Sequence, residues 1–247
     1  LQQLPQAFIF PGKGVGLPGF LQQAGNPGSG NCRYPRGYCG RTVFEMVFKI
    51  LSPEVKVKFF FKDGDSIKKG DKLAEIKGPA RYVLMGERVA LNYVQRMSGI
   101  ATETNKYQQA IGDLPCKIVD TRKTTPGFRA FEKYSVKVGG GALHRFNLSD
   151  CAMIKDNHIQ VAGSVTNAVK LVKANLSHAH KIELECDTLE QIKEALPLGV
   201  DIIMLDNMTL EQMKEAVELI DHRATVEASG NVHLDTVRKI AECGVDI

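Results

Sequence analysis

Two nine-residue phrases, TLEQIKEAL at 188–196 and TLEQMKEAV at 209–217, recur 21 residues apart. Each opens with a Thr followed three positions later by a Gln, the reciprocal cap that starts a helix. Each also follows a short apolar run of strand length, 181–186 and 201–206. A strand–helix unit repeating at that interval implies parallel strands under a layer of helices, closed or nearly closed as a barrel. Further strands are expected at 117–121, 151–155 and 225–229, and 245–247 starts another. Ser164 is placed to cap a helix that turns Val165, Ala168, Val169 and Val172 inward.

The polar residues fall where a barrel would use them, at the C-terminal ends of the strands. Those ends read Asp120-Thr121-Arg122-Lys123, Lys155-Asp156-Asn157-His158, Glu185, Asp206-Asn207 and Ser229-Gly230. Arg122, Lys123, His144, Arg145 and Lys155 make a cationic set, with arginine suited to planar carboxylates and lysine to phosphate. Glu185 and Asp206 make an acidic pair that suits Mg²⁺, directly or through water, and ribose hydroxyls. Ser229-Gly230 leads to a helix N-terminus, a natural phosphate seat. Between 117 and 155, eight Lys/Arg face three acids, an excess of five against +4 for the whole chain. Such a concentration focuses potential for a small anion and is too modest overall to point to nucleic acid. Together these features suggest a sugar phosphate or phosphoribosyl substrate.

Plainer readings stand beside each of these. A single Arg or Lys at a strand end is more often a surface ion pair. His144 alone suits a hydrogen-bonded structural role, and Cys151 and Cys186 suit core thiols. Lys155 also fits a Schiff-base lysine. Gly139-Gly140-Gly141 lacks the Lys-Ser/Thr of a P-loop. It reads as a flexible connection that lets His144-Arg145 approach the site.

The upstream third reads differently. Residues 1–41 hold the chain's densest Gly and Pro and no acid, so a disordered or non-native segment is expected there. A helix is expected at 43–51, and strands at 55–61 and 72–76 around the turn Lys62-Asp63-Gly64-Asp65. This hairpin resembles those of lipoyl and biotinyl carriers, but Gly78-Pro79-Ala80-Arg81 supplies no Lys to modify. A long helix is expected at 84–111, with Ala90, Val94, Met97 and Ala101 inward, Arg88, Asn92 and Gln95 on another face, and Gly99 bending or dividing it. No apolar run reaches the ~20 residues of a membrane span. Six scattered cysteines suit reduced thiols in a cytoplasmic enzyme. The one close pair, Cys32 and Cys39, has no His near enough to complete a zinc site.

Several phrases together resemble the quinolinate phosphoribosyltransferase family (nicotinate-nucleotide pyrophosphorylases, carboxylating). They are Glu87-Arg88-Val89-Ala90-Leu91-Asn92, Ser98-Gly99-Ile100-Ala101-Thr102, Asp120-Thr121-Arg122-Lys123-Thr124, Glu132-Lys133-Tyr134, His144-Arg145 and Ile154-Lys155-Asp156-Asn157-His158. Glu183-Leu184-Glu185, Leu205-Asp206-Asn207 and Glu227-Ala228-Ser229-Gly230 continue the likeness in the same order. The resemblance implies an open α/β barrel of parallel strands with a smaller N-terminal α/β sandwich domain, both incomplete in this chain. It sets the domains at 42–113 and 114–247.

The resemblance implies transfer of phosphoribosyl from phosphoribosyl pyrophosphate to quinolinate with decarboxylation, giving nicotinate mononucleotide, pyrophosphate and CO2 in NAD biosynthesis. Arg88, Arg122, His144, Arg145 and Lys155 match positions around quinolinate. Arg88 would come from the partner subunit of a homodimer or higher homo-oligomer. Lys123 matches a lysine near both substrates and lies beside Thr121, in the same substrate-binding motif. Glu185 and Asp206 match carboxylates serving ribose hydroxyls and Mg²⁺, and Ser229-Gly230 matches the phosphate seat. Asn231 departs from a Gly of many members. Alternatives are a paralogue acting on another pyridine, an inactive ligand-binding homologue, or a Lys155 Schiff-base lyase.

Overall fold

The structure, a computed structural model, describes residues 15–16, 37–68 and 70–247, in two compact units. Among the described residues, the first unit comprises those up to 105 together with 125–140, and the second comprises 106–124 and 141–247.

In the first unit α1 (Arg41–Leu51) forms because Phe44 and Phe48, four residues apart, share one buried face. It ends at Ser52, which is extended because Pro53 follows. Strands β2 (Lys56–Phe59) and β3 (Ala74–Lys77) pair antiparallel, Val57 opposite Ile76, and β1 (Val15–Gly16) lies on the other edge of β3. Of the expected 1–41 segment, residues 1–14 and 17–36, with Cys32, lie outside the described residues. Its end differs from expectation: Tyr38 and Cys39 are 2% and 0% exposed, because a large aromatic and a small apolar thiol both gain by burial in this core.

Helix α2 (Ala80–Ile111) is continuous through Gly99, so the glycine does not divide it. A glycine costs a helix about 1 kcal/mol. The buried stripe of Ala90, Val94, Met97 and Ala101 outweighs it, and Arg88 and Asn92 are exposed as read. The glycine run after α3 (Arg129–Val138) is also not a slack connection. A Cβ on Gly139 would stand 2.4 Å from the Ala101 carbonyl oxygen, and Asn105 donates to the Gly139 carbonyl. Gly139 is there for close packing against α2.

The second unit carries the repeating pattern. Strands β4 (Cys151–Ile154), β5 (Lys181–Cys186), β6 (Ile202–Asp206) and β7 (Thr225–Ser229) form one parallel sheet in chain order. Between them lie α4 (Asp156–Ala162) with α5 (Val165–Asn175), then α6 (Leu189–Ala195) and α7 (Leu210–Ile220), and α8 (Val237–Ala241) follows β7. Ser164, Thr188 and Thr209 cap their helices, the last two with reciprocal Gln191 and Gln212. Val165, Ala168, Ile192, Met213 and Ile220 pack with Ile182, Leu184, Ile203, Leu205 and Val226 in one core.

The two short strands expected at 117–121 and 245–247 appear as hydrogen-bonded segments instead of strands. Residues 246–247 bond to Val226 and Ala228 of β7, Lys117 donates to Asp246, and Val119 bridges parallel to Ala142. These bonds carry the sheet around from β7 toward Ala142, and the fold is an open α/β barrel. The Asp246 carboxylate also accepts from the Val226 amide, where a regular ladder would use a carbonyl.

Candidate active site

The alternation of each strand decides which side chains meet. On β5, Ile182, Leu184 and Cys186 enter the helix-covered core, so Glu183 and Glu185 take the opposite face. On β6 that face holds Met204 and Asp206, on β7 Glu227 and Ser229, and on β4 Cys151 and Met153. The registers pair Ile154 with Leu184, Glu185 with Met204 and Asp206 with Ser229. One inner face therefore carries two tiers, and the upper one lies at the strand ends.

In the upper tier Lys155 Nζ is ion-paired with Glu185 Oε2, because the register sets each one step beyond Ile154 and Leu184. The Lys155 amide donates to His158 Nδ1 at 2.9 Å, so His158 caps α4. Asp206 accepts from the Asn207 side-chain amide at 2.8 Å, and Asn207 donates its backbone N–H to the Ser229 carbonyl. Asn207 and Asn231 both hold positive φ, 53° and 55°, which asparagine tolerates better than most residues. Gly230, at φ 91°, lies so close that a Cβ would come within 2.2 Å of Asn207 Oδ1. Asp206, Asn207, Ser229 and Gly230 thus form one tight corner.

In the lower tier His144 Nε2 stands 3.2 Å from Glu183 Oε2 and 3.3 Å from Glu227 Oε2. Glu183 first and Glu227 second push the imidazole up to about 10, while burial pulls it down. The segment carrying His144 is pinned from its other side as well. Buried Asp120 accepts from the His144 amide at 2.9 Å, and Ala142 donates to the Ile118 carbonyl. Arg145 directs its guanidinium to the Cys151 carbonyl at 2.9 Å and to Met153 Sδ at 3.3 Å.

Asp120 also leads directly into Thr121, Arg122 and Lys123, where Thr121 Oγ1 accepts from the Lys123 amide in a local turn. Arg122 is partly buried and Lys123 exposed. Arg88 lies on the exposed face of α2, in the first unit. The anticipated members thus gather as Lys155 with Glu185, Asp206 with Ser229 and Gly230, and His144 with Arg145. Glu183 and Glu227 as partners of His144, Asn207 as the support of Asp206, and His158 as a cap were not assigned these roles from sequence. The period-2 pattern was the available signal, since it sets Glu183 on the face of Glu185 and Glu227 on that of Ser229.

Comparison with known proteins decides the family. Residues 32–98 match the quinolinate phosphoribosyl transferase N-terminal domain, and residues 100–247 match its C-terminal domain.

The chain belongs to the quinolinate phosphoribosyltransferase family.

It is 46% identical over 203 residues to a probable nicotinate-nucleotide pyrophosphorylase (carboxylating) of Synechocystis sp., covering 81% of this chain and 69% of that one. A Bacillus subtilis protein of the same description is 42% identical over 209 residues, with 85% and 72% covered. Among solved structures, NadC from Streptococcus pyogenes superposes with a TM-score of 0.83 at 46% identity, covering 87% of this chain and 76% of that one. Among the described residues no helix is long and apolar enough to cross a membrane.

Proposed function

We propose that this chain transfers the phosphoribosyl group of phosphoribosyl pyrophosphate to quinolinate, releasing pyrophosphate and CO2 and leaving nicotinate mononucleotide for NAD biosynthesis. The observation that carries this reading is the two-tier inner face in a member of this family. Lys155, Glu185, Asp206 and Ser229 stand at adjoining strand ends over the His144–Arg145 segment.

In this reading Arg122, His144, Arg145 and Lys155 surround the dicarboxylate, with Arg88 supplied by a second copy of the chain. Lys123 and Thr121 lie between the two substrates, and Lys123 meets the departing pyrophosphate. Glu185 and Asp206 take the ribose hydroxyls, and Ser229 with Gly230 seats the 5′-phosphate. The pyridine nitrogen attacks the anomeric carbon as the C–O bond to pyrophosphate breaks, and cations around the leaving group stabilise its charge. The C–C bond to the adjacent carboxylate then breaks, its electron pair staying on the ring carbon beside the nitrogen cation; the carboxylate departs as CO2 and that carbon takes a proton from water. The chain's residues orient and neutralise; little proton transfer is asked of them.

Magnesium fits the upper tier. Glu185 and Asp206 are two carboxylates on adjoining strands, an all-oxygen donor set of the kind Mg²⁺ accepts with several waters. These two residues would hold it, and when bound it would add positive charge beside the pyrophosphate. The free, buried thiols of Cys39, Cys116, Cys151, Cys186 and Cys243 support a reducing, cytoplasmic setting.

The test is direct: purified protein is supplied with phosphoribosyl pyrophosphate, Mg²⁺ and either quinolinate or nicotinate, and products are separated by chromatography. Nicotinate mononucleotide formed from quinolinate and not from nicotinate supports the reading. Equal or greater turnover of nicotinate would replace quinolinate as the substrate.

A further inference from the structure

We propose that Glu183 and Glu227 are positioning residues for His144: they hold its Nε2 proton between them and so fix the ring that anchors Arg145. For what the site binds, this rests on the quinolinate reading above.

The two glutamates come from β5 and β7, the strands on either side of β6, and they converge on one nitrogen. Glu183 is 0% exposed and Glu227 is 7% exposed. Neither Glu183 oxygen, nor Glu227 Oε2, meets a hydrogen-bond donor elsewhere among the described residues. A buried carboxylate without a partner is strongly unfavourable, so a pair of them facing one imidazole calls for a proton at that point.

The same three groups also have the spacing of a metal site, with ligand atoms all within 4.8 Å of one another. One backbone bond separates the two readings. The Arg145 amide donates to His144 Nδ1 at 2.8 Å. A nitrogen that accepts has its lone pair engaged and carries no proton, so the proton of the neutral ring is on Nε2. A metal on Nε2 needs that lone pair free and would force the proton onto Nδ1, against the Arg145 N–H. The imidazolium, which the two glutamates favour, gives up the Arg145 bond but keeps its Nε2 proton toward them, and the neutral Nε2–H ring keeps both contacts. A metal would take Nε2 from the glutamates and lose the Arg145 bond as well.

The consequence runs along the chain. His144 is held at its amide by Asp120, at Nε2 by the glutamates and at Nδ1 by the Arg145 amide. Arg145 is then held at its guanidinium by the β4 backbone. Removing the glutamate contact frees the His144 ring from β5 and β7. Arg145 loses its aim while the Asp206–Ser229 corner is untouched.

The experiment uses ¹⁵N-histidine-labelled protein, with the His144 resonances assigned from a His144→Gln variant. A pyrrole-type Nε2 in the wild-type protein, unmoved by Zn²⁺ or Mn²⁺, is the expected result. A pyridine-type Nε2, or stoichiometric metal binding that broadens or shifts it, would overturn the proposal. In kinetics, Glu183→Leu and Glu227→Leu are expected to raise the quinolinate KM about 10-fold or more, the loss of a hydrogen bond to a charged group. The KM for phosphoribosyl pyrophosphate should stay within about twofold. Glu183→Gln, which keeps an acceptor for Nε2–H, should recover most of the loss. Equal effects on both substrates, or no recovery with Gln, would also overturn it. A wild-type protein that ignores quinolinate yet shows the Nε2-protonated ring would remove the reading of activity and leave the clamp supported.

Discussion

Arg145 shows how a residue named for its charge acquires a direction. Its guanidinium bonds to the Cys151 carbonyl and Met153 Sδ, both on β4, which leaves part of its donor fork for a ligand. Arg145→Ala is expected to raise the quinolinate KM far more than that of phosphoribosyl pyrophosphate. Removing one member of a buried charge pair costs about 2–5 kcal/mol, at least roughly 30-fold in affinity. Steady-state kinetics with each substrate varied in turn checks this, and equal effects would reassign the residue. Cys186 behaves oppositely. Burial first, then the charges of Asp187 and Glu185, push its thiol up to about 12, and it is fully enclosed in the helix-covered core. At neutral pH it holds almost no thiolate, so iodoacetamide should modify it only after denaturation. Peptide mapping of native and unfolded protein measures this, and rapid native labelling would place Cys186 outside the core.

At the scale of elements, glycines with opposite surroundings give opposite expectations. Gly99 is exposed within α2 with nothing near its missing side chain, so Gly99→Ala should stabilise by about 0.5–1 kcal/mol. Gly139→Ala must push aside the Ala101 carbonyl and should destabilise clearly, and Gly230→Ala must displace Asn207. Thermal melts of the three variants check the order, and a stabilising Gly139→Ala would contradict the packing described.

Sequence made the strands and caps of the second unit legible because alternation and capping boxes are local signals. β5 and β7 run as expected, and Thr188 and Thr209 cap as expected. It did not reveal the tight packing at Gly139 or the unbroken α2, since both are set by residues distant in the chain. Nor did it assign Glu183 and Glu227 to His144. That cluster depends on β5 and β7 lying one strand apart, which only the assembled sheet supplies.

At the scale of the whole molecule, the exposed face of α2 carries Leu84, Met85 and Val89 around Arg88. An apolar surface around Arg88, the arginine proposed above to be supplied by a second copy, suits a two-fold interface, where one face serves both copies reciprocally. Mixing inactive Arg88→Ala and Lys123→Ala proteins should then restore about a quarter of wild-type activity, since half of randomly mixed dimers are hybrids with one intact site. Tagged co-purification confirms exchange, and no recovery in confirmed hybrids would place Arg88 within its own chain or outside the site.

In the proposed reaction one site couples phosphoribosyl transfer to loss of the carboxylate beside the ring nitrogen. Quinolinate labelled in that carboxyl carbon, turned over with phosphoribosyl pyrophosphate and Mg²⁺, tests it most directly. Labelled CO2, pyrophosphate and nicotinate mononucleotide should appear in equal amounts. Label retained in a nucleotide product, or pyrophosphate released without CO2, would contradict it.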